Sequence, residues 1–221
     1  MAETKHFVVI GLGSFGTALA LKLAENGCRV TGMDACEHRI EDVSGQLYEA
    51  VIGDATERDA LEHLSLNKAD AVFISLGEDI TPSLLATLHA KELGAKQVVV
   101  KGVTHEHGRL LKYLGVERVI FPEEEAAREL ADRMTWPSVL DFLPIDPEYS
   151  FIEIAVPDSF SGKTLMDLQL RKRFNIWVVG VKDVLSGKLH LFPEAQFKFG
   201  TEQVLLVVGK HADMTRFREI K

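Results

Sequence analysis

The stretch His6-Phe-Val-Val-Ile-Gly-Leu-Gly-Ser-Phe-Gly16 decides the fold of the first half of the chain. An apolar β-strand pattern ends at Ile10 and leads at once into a G-x-G-x-x-G loop, after which apolar residues follow at helical spacing. A glycine string alone is a weak signal, but strand, loop and helix in this order are typical of a Rossmann-type nucleotide site. We therefore predict a phosphate-binding loop made of Gly11, Leu12, Gly13, Ser14, Phe15 and Gly16.

Each glycine of the loop has a separate predicted role. Gly11 permits the tight turn, Gly13 lets the backbone approach a pyrophosphate, and Gly16 allows the helix to pack closely on the strand. The amino end of that helix adds unpaired N–H groups and a partial positive charge, both of which favour phosphate. Asp34, at the end of the second predicted strand, is the acid expected to bind the ribose hydroxyls. An acid at this position disfavours a 2′-phosphate and therefore NADP.

Three further segments end predicted strands at the same edge of the sheet, where open α/β sheets bind ligands. Small residues in Gly53-Asp54-Ala55-Thr56 leave room for an adenine ring, while Asp54 alternatively caps the next helix. Both explanations stay open. Gly77 lies at the end of strand four and Lys101 ends strand five, and we include both in the predicted binding site.

The alternation of β-branched runs and amphipathic stretches up to about residue 120 predicts a doubly wound parallel sheet of six strands, hence an α/β fold. Pro122-Glu-Glu-Glu125 is a good helix start, and prolines then mark a linker with three exposed apolar residues, Leu140, Phe142 and Leu143. We predict a nucleotide-binding domain over 1–122, a crossover helix and linker over 123–145, and a small α+β domain over 146–221.

Composition excludes several classes of protein. The formal net charge of −8 argues against binding to nucleic acid, and no apolar run reaches the roughly 20 residues that cross a bilayer. The amino terminus has no apolar stretch typical of a signal peptide, and the two cysteines lack a C-x-x-C spacing. These observations predict a soluble, cytoplasmic protein.

Catalytic groups are missing from the pattern, which favours binding without chemistry. None of the three tyrosines is followed four residues later by the lysine that a short-chain dehydrogenase needs. The second domain offers no set of nucleophile, base and orienting group. We therefore predict that the chain is not an enzyme. The alternative is an NAD-dependent oxidoreductase with an unrecognised active site.

Across residues 5 to about 218 the chain resembles the cytoplasmic regulatory subunits of Ktr and Trk potassium uptake systems, which consist of an RCK (KTN) domain and an RCK-C domain. The residues that carry the resemblance are the glycine loop, Asp34, Gly53-Asp-Ala-Thr-Glu57, Gly115-Val-Glu-Arg-Val-Ile-Phe-Pro-Glu123, Val139-Leu-Asp-Phe142, Gly162-Lys-Thr-Leu-Met-Asp-Leu168 and Val204-Leu-Leu-Val-Val-Gly209.

The resemblance implies a homodimer that assembles further into an octameric ring, and a ring that gates a membrane potassium channel or transporter while bound to it from the cytoplasm. It implies ATP or ADP as ligand, with NAD or NADH as alternatives. It also implies a divalent cation near Glu123 at a subunit interface, and cyclic di-AMP bound between C-terminal domains. The corresponding residues for cyclic di-AMP are Leu165, Met166, Arg171 and Pro193.

One residue departs from the family pattern. Loops of the Ktr type commonly place an arginine where this chain has Ser14, and that arginine reaches the terminal phosphate of ATP. Loss of a charge-assisted phosphate contact lowers affinity by about tenfold or more. ADP, AMP and NAD(H) are therefore stronger rivals of ATP, unless Arg39 or a neighbouring subunit supplies the missing charge.

Overall fold

The computed structural model describes residues 4–135, 139–146 and 148–218. The chain divides into two compact units, residues 1–123 and 124–221, which are described separately below. In the described part of the chain, no helix combines the length and the apolar character needed to cross a membrane.

The first unit is built on a sheet of six parallel strands. These are β1 (His6–Ile10), β2 (Arg29–Asp34), β3 (Glu49–Ile52), β4 (Ala71–Ile74), β5 (Val98–Lys101) and β6 (Arg118–Ile120). Their order across the sheet is β3-β2-β1-β4-β5-β6, so that the strand order reverses between β1 and β4. This is the doubly wound topology that the sequence predicts, and the predicted fold class is confirmed.

Helices connect these strands and follow the glycine loop and the later strand ends. The helices of the first unit are α1 (Ser14–Glu25), α2 (Glu37–Val43), α3 (Arg58–Glu62), α4 (Ile80–Glu92) and α5 (His105–Tyr113), whereas α6 (Pro122–Thr135) follows β6 and lies mostly in the second unit. Two of them have side-chain caps: Asp79 accepts a hydrogen bond from the Thr81 N–H (2.9 Å), and Thr104 accepts one from the His107 N–H (3.1 Å). Such caps satisfy amides that have no partner in the first turn.

The apolar run in β1 is continuous because both faces of the sheet are covered. Val8 and Ile10 pack into one buried cluster with Val72, whereas Val9 belongs to a second buried cluster with Val30. The three β1 side chains are completely buried. Burial on both faces fixes β1 at the centre of the sheet, and with it the position of the glycine loop that follows.

The second unit contains an antiparallel sheet of five strands. These are β7 (Val139–Pro144), β8 (Tyr149–Ala155), β9 (Trp177–Asp183), β10 (Leu189–Leu191) and β11 (Gln203–Lys210). Their order is β10-β9-β11-β8-β7, and in addition to α6 the unit contains α7 (Leu165–Leu168), α8 (Leu170–Phe174) and α9 (His211–Arg218). The core combines alternate residues of β8 and β11, such as Ile152 and Leu205, with the buried aromatics Phe199 and Phe217.

Several elements differ from the predicted ones. The segment 139–144, predicted to be part of a linker, is β7, an edge strand paired with β8. Its Leu140 and Leu143 are exposed as expected, whereas the side chain of Phe142 lies outside the described part. The sequence reading also missed α2, α8 and α9. Each is short and offers few apolar positions from which a helical period can be recognised.

Candidate functional site

A cleft of about 490 Å³ opens at the carboxyl ends of the parallel strands. Ligands of open parallel sheets bind at this edge, beside the reversal of strand order. Of the predicted site residues, all except Leu12 and Gly16 line the cleft. These lining residues are Gly11, Gly13, Ser14, Phe15, Asp34, Arg39, Gly53, Asp54, Ala55, Thr56, Gly77, Lys101 and Glu123.

The two remaining predicted residues, Leu12 and Gly16, are buried and do not line the cleft. The Leu12 side chain is buried in the cluster around Val9, and only its backbone N–H is directed to a site residue, Asp34. Gly16 is buried in the first turn of α1. Conversely, the apolar residues Ile10, Met33, Ala35 and Pro82 line the cleft although the sequence reading did not include them. Ile10 and Met33 could have been predicted, because they stand at the carboxyl ends of β1 and β2, the edge where ligands of parallel sheets bind.

The three loop glycines differ in their backbone conformation and in the atoms around them. Gly11 has a φ of +90°, and a Cβ there would lie 2.2 Å from the carbonyl oxygen of Ser75. A Cβ on Gly16 would lie 1.8 Å from the carbonyl oxygen of Gly11. Gly13 has an ordinary φ of −69°, and no atom lies within 4 Å of the place a Cβ would occupy. Packing within this chain therefore explains Gly11 and Gly16, but it leaves open space beside Gly13.

The amino end of α1 borders this space. The first four amides of an α-helix have no intrahelical acceptor, and the N-cap Gly13 has no side chain to supply one. Within the described residues the amides of residues 13–16 have no acceptor, whereas the Thr17 N–H donates to the Gly13 carbonyl at 2.9 Å. Unpaired amides at a helix amino end bind phosphate through hydrogen bonds and the helix dipole.

Asp34 connects β2 to the glycine loop. Its Oδ2 accepts hydrogen bonds from the Leu12 N–H (2.7 Å) and from the Arg39 guanidinium (3.2 Å), and its Oδ1 accepts one from the Cys36 N–H (2.9 Å). The residue is only 8% exposed. These contacts hold the carboxylate at the rim of the cleft, where it could accept hydrogen bonds from ribose hydroxyls.

The segment after β3 is held by a local turn. Asp54 Oδ1 accepts hydrogen bonds from both the N–H and the hydroxyl of Thr56, each at 2.8 Å, and these bonds lower the pKa of Asp54. The alternative role of Asp54 as a helix cap is wrong, because α3 begins at Arg58 and its N-cap is Glu57. A Cβ at Gly53 would lie 2.4 Å from Met33 Cε, so a larger residue there requires the flexible end of the Met33 side chain to move.

Lys101 and Glu123 form an ion pair at the opposite side of the cleft. The hydrogen bond from the Lys101 ammonium lowers the pKa of the Glu123 carboxyl. Within the described residues, no three His, Cys, Asp or Glu side chains come together as a metal site. A divalent cation at Glu123 would have to compete with the Lys101 ammonium and take further ligands from another chain, so this site stays a prediction.

The second unit has a cleft of its own, of about 530 Å³. All four residues that the family resemblance implies for cyclic di-AMP, Leu165, Met166, Arg171 and Pro193, line it. The Arg171 guanidinium carbon lies 5.2 Å from the centre of the Trp177 ring, a cation–π distance. Trp177 is 42% exposed and was not singled out by the sequence reading.

The fold and the first cleft define a class of protein, a Rossmann-type nucleotide-binding domain joined to a small α+β domain. The model of the TrkA-N domain family matches residues 7–122, and that of the TrkA-C domain family matches residues 151–221. The chain belongs to this family of TrkA-N and TrkA-C domain proteins. The prediction made from the sequence motifs is confirmed.

Two curated relatives are similar along almost their whole length. The Ktr system potassium uptake protein C of Bacillus subtilis (strain 168) is 35% identical over 97% of this chain and 96% of its own. The Ktr system potassium uptake protein A of Vibrio alginolyticus is 36% identical over 93% and 92%, respectively. These relatives are potassium uptake proteins, so the prediction that the chain is not an enzyme is confirmed.

Solved structures agree with the fold at low sequence identity. The RCK domain of GsuK matches with a TM-score of 0.63 and 17% identity over 99% of this chain and 48% of that chain. The GsuK channel bound to NAD matches with a TM-score of 0.61 and 17% identity over 96% and 38%. This chain thus spans about half or less of the length of these proteins.

Proposed function

We propose that this chain is a nucleotide-sensing regulatory subunit of a potassium uptake system. It binds an adenine nucleotide without chemistry, assembles with copies of itself into a ring, and gates a membrane channel or transporter subunit from the cytoplasmic side. The names of the two Ktr relatives support the transport role. The single observation that carries nucleotide binding is the open space at Gly13 beside the unpaired amides of α1.

The cleft accommodates the parts of a nucleotide in a defined order. We assign the phosphates to the α1 amides, the ribose to Asp34, and the adenine to the small residues Gly53 and Ala55. A length of cleft lined by Gly77, Lys101 and Glu123 then remains for whatever follows the second phosphate. That remainder is the terminal phosphate of ATP or the second nucleoside of NAD(H).

The cations of the cleft bear on which nucleotide binds. Ser14 brings no charge, and Arg39 is already paired with Asp34. We therefore expect the Lys101 ammonium to bind a terminal phosphate, which requires that it first leave its ion pair with Glu123. Because that exchange breaks an ion pair, ADP and NAD(H) compete well with ATP. Structures of GsuK with NAD and with ADP support this range of ligands for the fold.

Ring assembly is proposed from exposed apolar residues around the start of the second unit. Leu130 and Met134 of α6, Leu140 and Leu143 of β7, and Ile145 are each more than half exposed. They fall within the segment 123–145, which we propose as the dimer-forming segment. Clusters of exposed large apolar side chains mark interaction surfaces. Gating then requires that the nucleotide binds one conformation of the ring more tightly than the other.

Titration calorimetry of the full chain with ATP, ADP, AMP, NAD and NADH, combined with light scattering, tests the proposal. We expect tight binding of at least one adenine nucleotide by an oligomer larger than a dimer, with no turnover of the ligand. Binding of NADH alone to a monomer or dimer, with turnover of a carbonyl substrate, would contradict it.

A matched pair of variants tests the role of Lys101. Lys101→Gln removes the cation from the cleft, and Lys112→Gln removes an exposed lysine from α5 outside the cleft. We expect only Lys101→Gln to lower the preference for ATP over ADP. Equal affinities in both variants would remove Lys101 from the phosphate site.

We further propose that the second-unit cleft binds cyclic di-AMP. The four residues assigned from the family resemblance line one cleft, where Trp177 offers a ring face and Arg171 a cation. Aromatic faces and guanidinium groups bind adenine bases and phosphates. Titration of cyclic di-AMP into the unaltered chain and into Trp177→Ala tests this. Binding that survives the substitution unchanged would contradict the assignment.

A further inference from the structure

The first unit has a further, polar cleft at the amino ends of the parallel strands. It lies on the opposite edge of the sheet from the cleft at the carboxyl ends, which we call the nucleotide cleft. Its volume is about 830 Å³. Lys5 precedes β1, Arg29 begins β2, and Lys96 stands two residues before β5. Lys68 ends a short 3₁₀ helix just before β4. Because the strands are parallel, these four cations from separate parts of the sequence meet at one edge, which we call the amino-edge cleft.

The charge of the amino-edge cleft contrasts with that of the chain. Four lysine or arginine side chains and two carboxylates, Glu49 and Asp70, line it, so its formal charge is +2 when the histidines are neutral. The whole chain carries −8. A local reversal of sign against an acidic background concentrates anions at that place.

The cations of this cleft are free to bind a ligand. Within the described residues, none of the four forms an ion pair with a carboxylate, and all four are exposed. The two carboxylates accept hydrogen bonds from neutral groups of the same cleft rather than from its cations. Asp70 Oδ2 accepts the His6 N–H at 2.7 Å, and Glu49 Oε2 accepts the Thr31 hydroxyl at 3.4 Å.

Arg29 is held in place by an aromatic ring. Its guanidinium carbon lies 3.9 Å from the centre of the Tyr48 ring, and Tyr48 also lines the cleft. Stacking on a ring leaves the N–H groups at the edge of the guanidinium available, in a planar fork that matches two phosphate oxygens. The stacked Arg29 guanidinium is therefore a more ordered partner for an anion than a solvent-exposed lysine side chain is.

We propose that the amino-edge cleft binds a multiply charged phosphate group, as a second anion site separate from the nucleotide cleft. Four cations that lack a carboxylate partner within the described residues match a ligand with several negative charges, such as a pyrophosphate-like group or the clustered headgroup phosphates of an anionic lipid surface. A phosphate ligand bound there would contact the same parallel sheet as the nucleotide, at its opposite edge. It does not depend on whether the proposed nucleotide binds.

Calorimetric titration with inorganic pyrophosphate tests the proposal on four full-length proteins. These are the unaltered chain, Lys68→Gln/Lys96→Gln, the control Lys112→Gln/Lys188→Gln with the same loss of charge, and Gly13→Val, which fills the space at the nucleotide loop. The four exposed lysines are not part of the packed core.

We expect Lys68→Gln/Lys96→Gln to weaken pyrophosphate binding by about tenfold relative to the unaltered chain, and the control pair by less than about twofold. Binding at this cleft survives Gly13→Val. Equal losses in the two lysine pairs, or loss in Gly13→Val alone, would overturn the proposal.

Sedimentation with vesicles distinguishes the two sources of phosphate. Phosphatidylglycerol vesicles present anionic headgroups, and phosphatidylcholine vesicles are the zwitterionic control. Binding to phosphatidylglycerol that falls in Lys68→Gln/Lys96→Gln indicates a lipid headgroup. Pyrophosphate binding without vesicle binding indicates a free phosphate compound. Failure of both probes overturns the site, whereas failure of the nucleotide titrations alone overturns only the proposed function.

Discussion

The two phosphate sites that we propose, at the two edges of the parallel sheet, differ in the groups that would bind the ligand. At the carboxyl edge, the groups are backbone amides of α1, and a glycine without internal contacts keeps the approach open. At the amino edge, the groups are side-chain cations on four separate segments. Backbone amides are fixed by the fold and are insensitive to side-chain substitution, except where a new side chain blocks them. Side-chain cations can be removed singly without disturbing the sheet.

The largest expected effect concerns the packing of α1 on the carboxyl edge. Gly16→Ala places a Cβ 1.8 Å from the Gly11 carbonyl oxygen, so the loop or α1 must shift. We expect a loss of about 3 kcal/mol in the free energy of unfolding, typical of forced overpacking. Gly77→Ala is the control, because no atom lies within 4 Å of the position that the added Cβ would occupy. Urea unfolding monitored by circular dichroism decides, and equal stabilities would contradict the packing role of Gly16.

Asp34→Asn tests the carboxylate that joins β2 to the glycine loop and that we expect to bind the ribose. The substitution removes the charge that holds the Leu12 N–H and Arg39. We expect affinity for ATP, ADP and NADH to fall by about tenfold, since charge-assisted hydrogen bonds to ribose and loop are lost. Asp42→Asn, on the exposed side of α2, is the control. Titration isotherms that match those of the unaltered chain would refute the assignment.

Stability is expected to depend on pH through His107, in the first turn of α5. The residue is fully buried, and its Nδ1 accepts the Val103 N–H at 3.2 Å. Burial lowers the pKa of His107 below its usual 6.5. As the pH falls below about 6.5, the unfolded chain takes up a proton that the folded chain refuses. Stability then decreases, by up to about 1.4 kcal/mol per pH unit, until the folded pKa is reached.

His107→Asn keeps an acceptor for Val103 and cannot titrate, so its free energy of unfolding should change less between pH 7 and pH 5.5. The exposed His38, substituted by Asn, is the control. Parallel pH profiles for the unaltered chain and His107→Asn would show that the buried imidazole has no such effect.

The smallest expected effect lies at the amino edge, at His6. Burial and, second, the charge of Arg29 lower the pKa of His6, against the raising effects of Asp70 and Glu49. Arg29→Gln should therefore raise the pKa of His6, as followed by NMR of the imidazole. An unchanged or lower pKa would mean that Arg29 does not contribute to the field in the amino-edge cleft.

The sequence predicts the first unit well because burial on two faces leaves a clear pattern. The runs around Val8 and Val99 are continuous and apolar, and glycines mark the helix ends. The sequence reading missed β7 because nearby prolines indicated a linker and an edge strand buries little of its surface.

The nucleotide cleft and the amino-edge cleft also differ in how far the sequence alone predicts them. The glycine loop is contiguous, so the motif identifies it before any fold is known. The lining residues Met33 and Pro82, and the cations Lys5, Lys68 and Lys96, come from separate segments. Only the parallel register of the strands brings them together, and no local pattern encodes that arrangement.

The most direct test of the account is a titration of ADP into the unaltered chain and into Gly13→Val. Gly13 has an ordinary backbone conformation and open space beside it, so valine should cost about 1 kcal/mol of stability or less. If the α1 amides bind the phosphates, Gly13→Val lowers ADP affinity by at least about tenfold while the protein stays folded. Unchanged ADP affinity in the folded variant would contradict a phosphate site at the amino end of α1.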